Sequence, residues 1–105
     1  MKTPINENEL LNQAVLAFHH ETGLELYKRD ASEVMPYADG FILELGSTGV
    51  EYSVEIKRWA QQTNVGTIAA QLRRMPSPAL LVADYVNPNM ADRLRDAGVQ
   101  FIDAA

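Results

Sequence analysis

The sequence predicts an α/β domain: a mixed sheet with helices on both faces, in the order α-β-β-β-α-β-α-β. Three observations carry that prediction. Three segments repeat apolar residues at helical spacing, five short runs are either continuously apolar or alternating, and Gly, Pro and Asn punctuate the joints. Strands separated by helices favour parallel pairing late in the chain, whereas the two middle strands are close enough for an antiparallel hairpin.

The first element is an amphipathic helix over about residues 7–21, with Leu10, Leu11, Ala14, Val15 and Phe18 on one face. Asn6 is its expected cap with Glu9 as capping-box partner, and Gly23 its left-handed stop after His19 and His20. Leu24 to Lys28 reads as a short alternating strand. After a turn-rich stretch through Pro36, the run Phe41 to Leu45 is apolar enough to suggest a strand covered on both faces. Gly46-Ser47-Thr48-Gly49 then connects it to Val50–Arg58, whose alternation is strict. Val50, Tyr52, Val54 and Ile56 fall on one side, and Glu51, Ser53, Glu55 and Lys57 on the other.

A second helix over about Val65–Arg74 turns Val65, Ile68, Ala69 and Leu72 inward and ends before Met75-Pro76. Ala79–Ala83 reads as a fully buried strand. Asn87-Pro88 is a cap followed by a proline at the first helical position, and the helix it opens ends at Gly98. Val99–Ile102 makes the last strand. No repeat or linker-like run divides the 105 residues, so one domain over 1–105 is expected.

Composition narrows the function. The absence of cysteine excludes a disulfide framework, a zinc ribbon, a thiol nucleophile and iron–sulfur ligation. No apolar run approaches the roughly 20 residues of a membrane span, and the first residues lack a secretory signal, so a cytoplasmic protein is expected. The net charge of −5 argues against a surface that coats nucleic acid throughout. Its distribution is uneven. From Ile56 to Ala83 there are four basic residues, Lys57, Arg58, Arg73 and Arg74, and no acid, which suits a local polyanion contact.

The sharpest chemical feature is Glu55-Ile56-Lys57, with Asp39 ahead of the preceding strand. A period of two puts Glu55 and Lys57 on the same face, and the hairpin brings Asp39 towards them. Two carboxylates so placed form a hard-oxygen site for Mg²⁺ or Mn²⁺, with the Ile56 carbonyl as a further ligand. A lysine beside them can act on an attacking water or on phosphate charge. The plain alternative is a strand whose charged side faces water.

Tyr37-Ala38-Asp39-Gly40-Phe41-Ile42 followed by Tyr52-Ser53-Val54-Glu55-Ile56-Lys57 resembles the PD-(D/E)XK nuclease superfamily, which has the restriction endonuclease-like fold. The resemblance implies a metal-dependent DNA nuclease, with Asp39 and Glu55 as metal ligands and Lys57 as the catalytic lysine. Ala38 stands where the pattern usually carries proline. Members often add a glutamate from the first helix, and Glu9 or Gln13 lies near the matching place. Nucleases of this fold frequently pair as homodimers.

The back half, Ala79 to Ala105, is similar to the nuclease-like domain of type IV abortive-infection antitoxin homologues. Those proteins tend to continue into another strand and a winged-helix DNA-binding region, so this resemblance implies a minimal version or a fragment. It also implies a toxin or regulatory protein as partner, and a domain that need not cleave anything.

Other residues carry smaller signals. Arg73 and Arg74 suit phosphate contacts or simply a helix end, and Gln71 could line the cleft of Glu55 and Lys57. Tyr52 and Trp59 suit base stacking or the core. His19 and His20 point about 100° apart on a helix, which makes sharing one ion difficult. Asp84 suits capping of the loop after its strand. Two functions from different classes therefore stand side by side: a metal-dependent nuclease, and a non-catalytic module that binds nucleic acid or a protein partner.

Overall fold

The computed structural model describes residues 6–30, 40–58, 64–76 and 78–104. It is an α/β fold of three helices and one five-stranded mixed sheet. The elements in chain order are α1 (Glu7–Thr22), β1 (Leu26–Asp30), β2 (Phe41–Leu45), β3 (Glu51–Lys57), α2 (Val65–Arg73), β4 (Ala79–Ala83), α3 (Pro88–Asp96) and β5 (Gln100–Asp103). The strands lie side by side in that same order. β1, β2 and β3 form an antiparallel meander, and β3, β4 and β5 are parallel. No helix among the described residues is long and apolar enough to cross a membrane.

Each helix starts where a side chain can satisfy the first orphan amides. Asn6 Oδ1 accepts from Glu9 N–H at 2.8 Å, and Asn87 Oδ1 accepts from Met90 N–H at 2.8 Å. Asn64 does the same for α2, accepting from Gly66 N–H at 2.7 Å. At the far end of α1, Gly23 takes φ 74° and donates its N–H to the His19 carbonyl.

The strands separate two cores. On one face Leu11 and Ala14 of α1 pack against Leu26, Leu43, Leu80 and Val82, with Tyr52, Val54, Ile56 and Phe18 partly buried beside them. On the other, Ile68 and Leu72 of α2 and Met90 and Leu94 of α3 pack against Leu81 and Ala83, with Phe101 alongside. Helices thus cover both faces, and β4 is buried at every position except its first.

Two expectations need correction. β1 begins two residues later than the apolar pattern suggests, because Leu24 is engaged in the exit from α1. Leu24 N–H donates to Thr22 Oγ1 at 3.1 Å, and the Glu25 carbonyl accepts from Gly46 N–H at 2.9 Å. β2 is not buried on both faces: only Leu43 of its five residues is fully buried. Phe41, Leu43 and Leu45 join the α1-side core, whereas Glu44 faces the opposite way and pairs with Arg29 at 3.2 Å.

Leu81 is completely buried between β3 and the two helices. Leu81→Ala is therefore expected to cost about 2–5 kcal/mol. Leu16, 60% exposed on α1, is the control; Leu16→Ala should stay within about 0.5 kcal/mol in urea denaturation. Similar losses at the two positions would contradict this placement of the core.

Candidate functional site

β3 builds the site. Its backbone groups alternate sides: the Ser53 N–H donates to the Pro78 carbonyl at 2.9 Å on the β4 side, while the Val50 carbonyl accepts from Leu45 N–H at 2.8 Å on the β2 side. Its side chains alternate faces. Tyr52, Val54 and Ile56 enter the core under α1, so Glu55 and Lys57 emerge on the α2 and α3 face. There Glu55 stands beside Leu81 in register, and Lys57 beside Ala83.

Lys57 Nζ lies 3.6 Å from Glu55 Oε1, with side chains 22% and 33% exposed. That distance is an ion pair but longer than a hydrogen bond. Among the described residues the ammonium meets no other acceptor.

The antiparallel register pairs Ile42 with Ser53. Gly40 lies two residues before that pair, just outside β2. Gly40 has φ 96°, a left-handed conformation that breaks the strand as it enters from the preceding segment. The Ile56 carbonyl, by the same backbone alternation, points to the β2 side. Asp39, Tyr37, Ala38 and Trp59 lie outside the described residues.

The remaining candidates divide by position. Gln71 sits on α2, over the same sheet face as Glu55 and Lys57, and its Oε1 is buried with no hydrogen-bond partner. Arg58 follows β3 at the Lys57 end and is exposed. Arg73 and Arg74, also exposed, are at the other end of the sheet. Arg73 lines a cavity of about 330 Å³ with Ala79, Gly98 and Gln100, near the start of β4 and β5. Since Ala79 pairs with Ser53 and Ala83 with Lys57, roughly 13 Å of strand separates the two basic pairs. They form two patches rather than one.

Glu9 and Gln13 are exposed positions on α1, which packs on the opposite face of the sheet. The fold does not gather them with Glu55 and Lys57. His19 and His20 have ring planes 57° apart, and His19 Nδ1 is engaged with Glu25 Oε1 at 3.3 Å. After β4, the loop amide of Val86 donates to Asp103 Oδ2 at 2.9 Å. Sequence reading had not singled out Asp103, whose place beside Ala83 depends on the β4–β5 register.

Does this donor set suit a hard divalent cation? The Glu55 carboxylate and the Ile56 carbonyl are oxygen donors of the right kind, and such ions usually keep several waters. Among the described residues no group of three His, Cys, Asp or Glu side chains converges. The described donors therefore amount to one carboxylate, already ion-paired with Lys57, and one backbone carbonyl, which do not by themselves make a cation site.

Comparison with known proteins gave no match to any family model, curated protein or solved structure.

Because the Glu55–Lys57 pair is partly exposed and 3.6 Å apart, its contribution to stability is small. Lys57→Met should shift the unfolding free energy by less than about 1 kcal/mol in urea titrations. A loss of several kcal/mol would mark the pair as a structural element instead.

Proposed function

We propose that this chain is a PD-(D/E)XK nuclease-like domain, with a restriction endonuclease-like core, that acts on DNA by metal-dependent phosphodiester hydrolysis. The observation that carries the reading is the emergence of Glu55 and Lys57 on one face of β3, beside the position where β2 begins. The element order, a helix followed by a three-stranded meander, a helix and a parallel strand, agrees with that superfamily's core.

In this reading Glu55, the Ile56 carbonyl and Asp39 hold Mg²⁺ or Mn²⁺. Such an ion, when bound, would lower the pKa of a water and offset phosphate charge. Lys57 orients the attacking water and donates hydrogen bonds to a phosphate oxygen as negative charge builds there. Its partial burial strengthens that interaction relative to a fully solvated lysine. Arg58 contacts the DNA backbone next to the cleft, and Arg73 and Arg74 contact it at a separate patch. Cutting both strands of a duplex calls for two such sites, which a homodimer supplies.

A second reading rests on the separation of Arg73 and Arg74 from Glu55. The exposed pair would suit a non-catalytic module of the antitoxin or transcriptional-regulator kind, binding nucleic acid or a protein partner such as a toxin. In that case Glu55→Ala leaves binding intact while Arg73→Ala and Arg74→Ala weaken it.

With Mg²⁺ or Mn²⁺, purified protein should nick supercoiled DNA, and Glu55→Ala and Lys57→Ala should each slow this by about 100-fold or more. Failure to cut linear, branched and supercoiled DNA would remove the catalytic reading and leave the binding module.

A further inference from the structure

We infer that the cavity between the ends of α2 and α3, together with Arg73 and Arg74, docks an acidic segment of a protein partner that inserts one large apolar side chain. The inference rests on the binding-module reading given above and names the chemistry of its partner. Two observations meet at this end of the sheet. One is a cavity of about 330 Å³ whose lining includes Leu72, Met75 and Val99. The other is a pair of exposed arginines that make no hydrogen bond or ion pair among the described residues.

The cavity follows from how the two helices end. α2 stops at Arg73 and α3 at Asp96, where the chain turns towards β4 and β5. Ala69 and Leu72 of α2 share the cavity with Ala97 and Gly98 beyond α3, and Ala79 and Val99 complete its apolar wall. Ala79, Ala97 and Gly98 are too short to fill the gap. Gly98 holds φ 74° as the chain turns, so a side chain there would be strained. The apolar walls are continuous with the core beneath α2 and α3, to which Leu72 and Val99 belong. An inserted side chain therefore extends that core, and Met75, unbranched and polarizable, adapts to its shape.

The charges decide what accompanies that side chain. Arg73 is exposed and lines the cavity, so it stands at the mouth. Arg74 follows it, and no acid occurs between Ile56 and Ala83, although the whole chain carries −5. The two helix ends turn carbonyls rather than amides this way, and Asp96 closes α3. An anion is therefore favoured at the arginines and not deeper in. The complementary ligand is apolar where it enters and acidic on its flanks. A nucleic-acid backbone matches the arginines but leaves the apolar cavity unused. An acidic peptide with an apolar anchor uses both, as do the desolvated pockets that dominate protein interfaces. The volume is near the lower bound, roughly 300 Å³, of cavities that hold small ligands, which leaves room for a single anchor.

Fluorescence anisotropy of the whole chain with a labelled peptide of core Asp-Glu-Phe-Glu-Asp tests the docking. Serine in place of the peptide's phenylalanine should weaken binding by about tenfold or more, through loss of one buried aromatic anchor. Lysine in place of its acids should abolish binding. On the protein, Arg73→Glu should weaken binding by about fivefold or more at low salt, and by less at high salt. Ala97→Leu fills the cavity and should weaken peptide binding by about tenfold, while changing the affinity for a duplex oligonucleotide by less than about twofold. Ala97→Met repeats the measurement if the leucine variant folds poorly. The docking is overturned if the peptide binds no better than its serine or lysine forms, or if both Ala97 variants bind it as wild type does. If the duplex then binds through Arg73 and Arg74, the binding-module reading stands with nucleic acid as its partner. If neither ligand binds, that reading falls as well.

Discussion

The site depends on the face alternation of β3. Burial of Tyr52, Val54 and Ile56 under α1 is what holds Glu55 and Lys57 on the opposite side. A slip of one residue would drive both charged side chains into an apolar core and bring the three apolar ones out. The cost of desolvating those charges makes the slipped register inaccessible. Two further restraints act on the same strand, the Leu45–Val50 bond at the hairpin and the Ser53–Pro78 bond at the entrance to β4. The placement of the charged pair is therefore a consequence of core formation, and needs no attraction between the pair itself.

β3 is also where the sheet changes from antiparallel to parallel. The parallel half requires a helical crossover, so α2 must pack on the sheet between β3 and β4. It does so over β4, while α3 lies beside it, and the described helices leave the β1 and β2 part of this face uncovered. Glu55 and Lys57 thus stand at the border between the covered and uncovered halves. That border explains their intermediate exposure of 33% and 22%. It is also where an ion pair is dry enough to be directional and wet enough to be exchanged for another partner at little cost.

The element order, strand directions and helix caps were legible in the sequence because each rests on local chemistry: Asn6 and Asn87 accept hydrogen bonds only a few residues away. The errors arose where a tertiary partner decided the outcome. The apolar content of Phe41–Leu45 suggested cover on both faces, but Arg29 lies across from Glu44 and Glu51, 3.2 and 2.9 Å away. The start of β1 shifted for a different, local reason: Thr22 Oγ1 holds the Leu24 N–H at the exit from α1. At the site, a period of two was enough to put Glu55 and Lys57 together. It could not show that Arg73 and Arg74 occupy the other end of the sheet, since their nearness in sequence to Lys57 is undone by the direction of the crossover. Nor could it show that the amide oxygen of Gln71 is buried without a donor.

The separation of basic residues bears on how a polyanion would meet this face. On its uncovered part, Arg29 is flanked by Glu44 and Glu51, so its positive charge is largely cancelled where the sheet is most accessible. Glu55 adds a further negative charge at the border. A phosphate backbone laid flat across β1, β2 and β3 would meet three carboxylates against Arg29 and Lys57. Approach along the end of β3 is electrostatically easier, because Lys57 and the exposed Arg58 are there. In the proposed reading, a divalent cation at Glu55 would change the balance further in favour of the anion. If the proposed function holds, cation and polyanion binding at this border would be thermodynamically coupled, each raising the affinity for the other by the same factor.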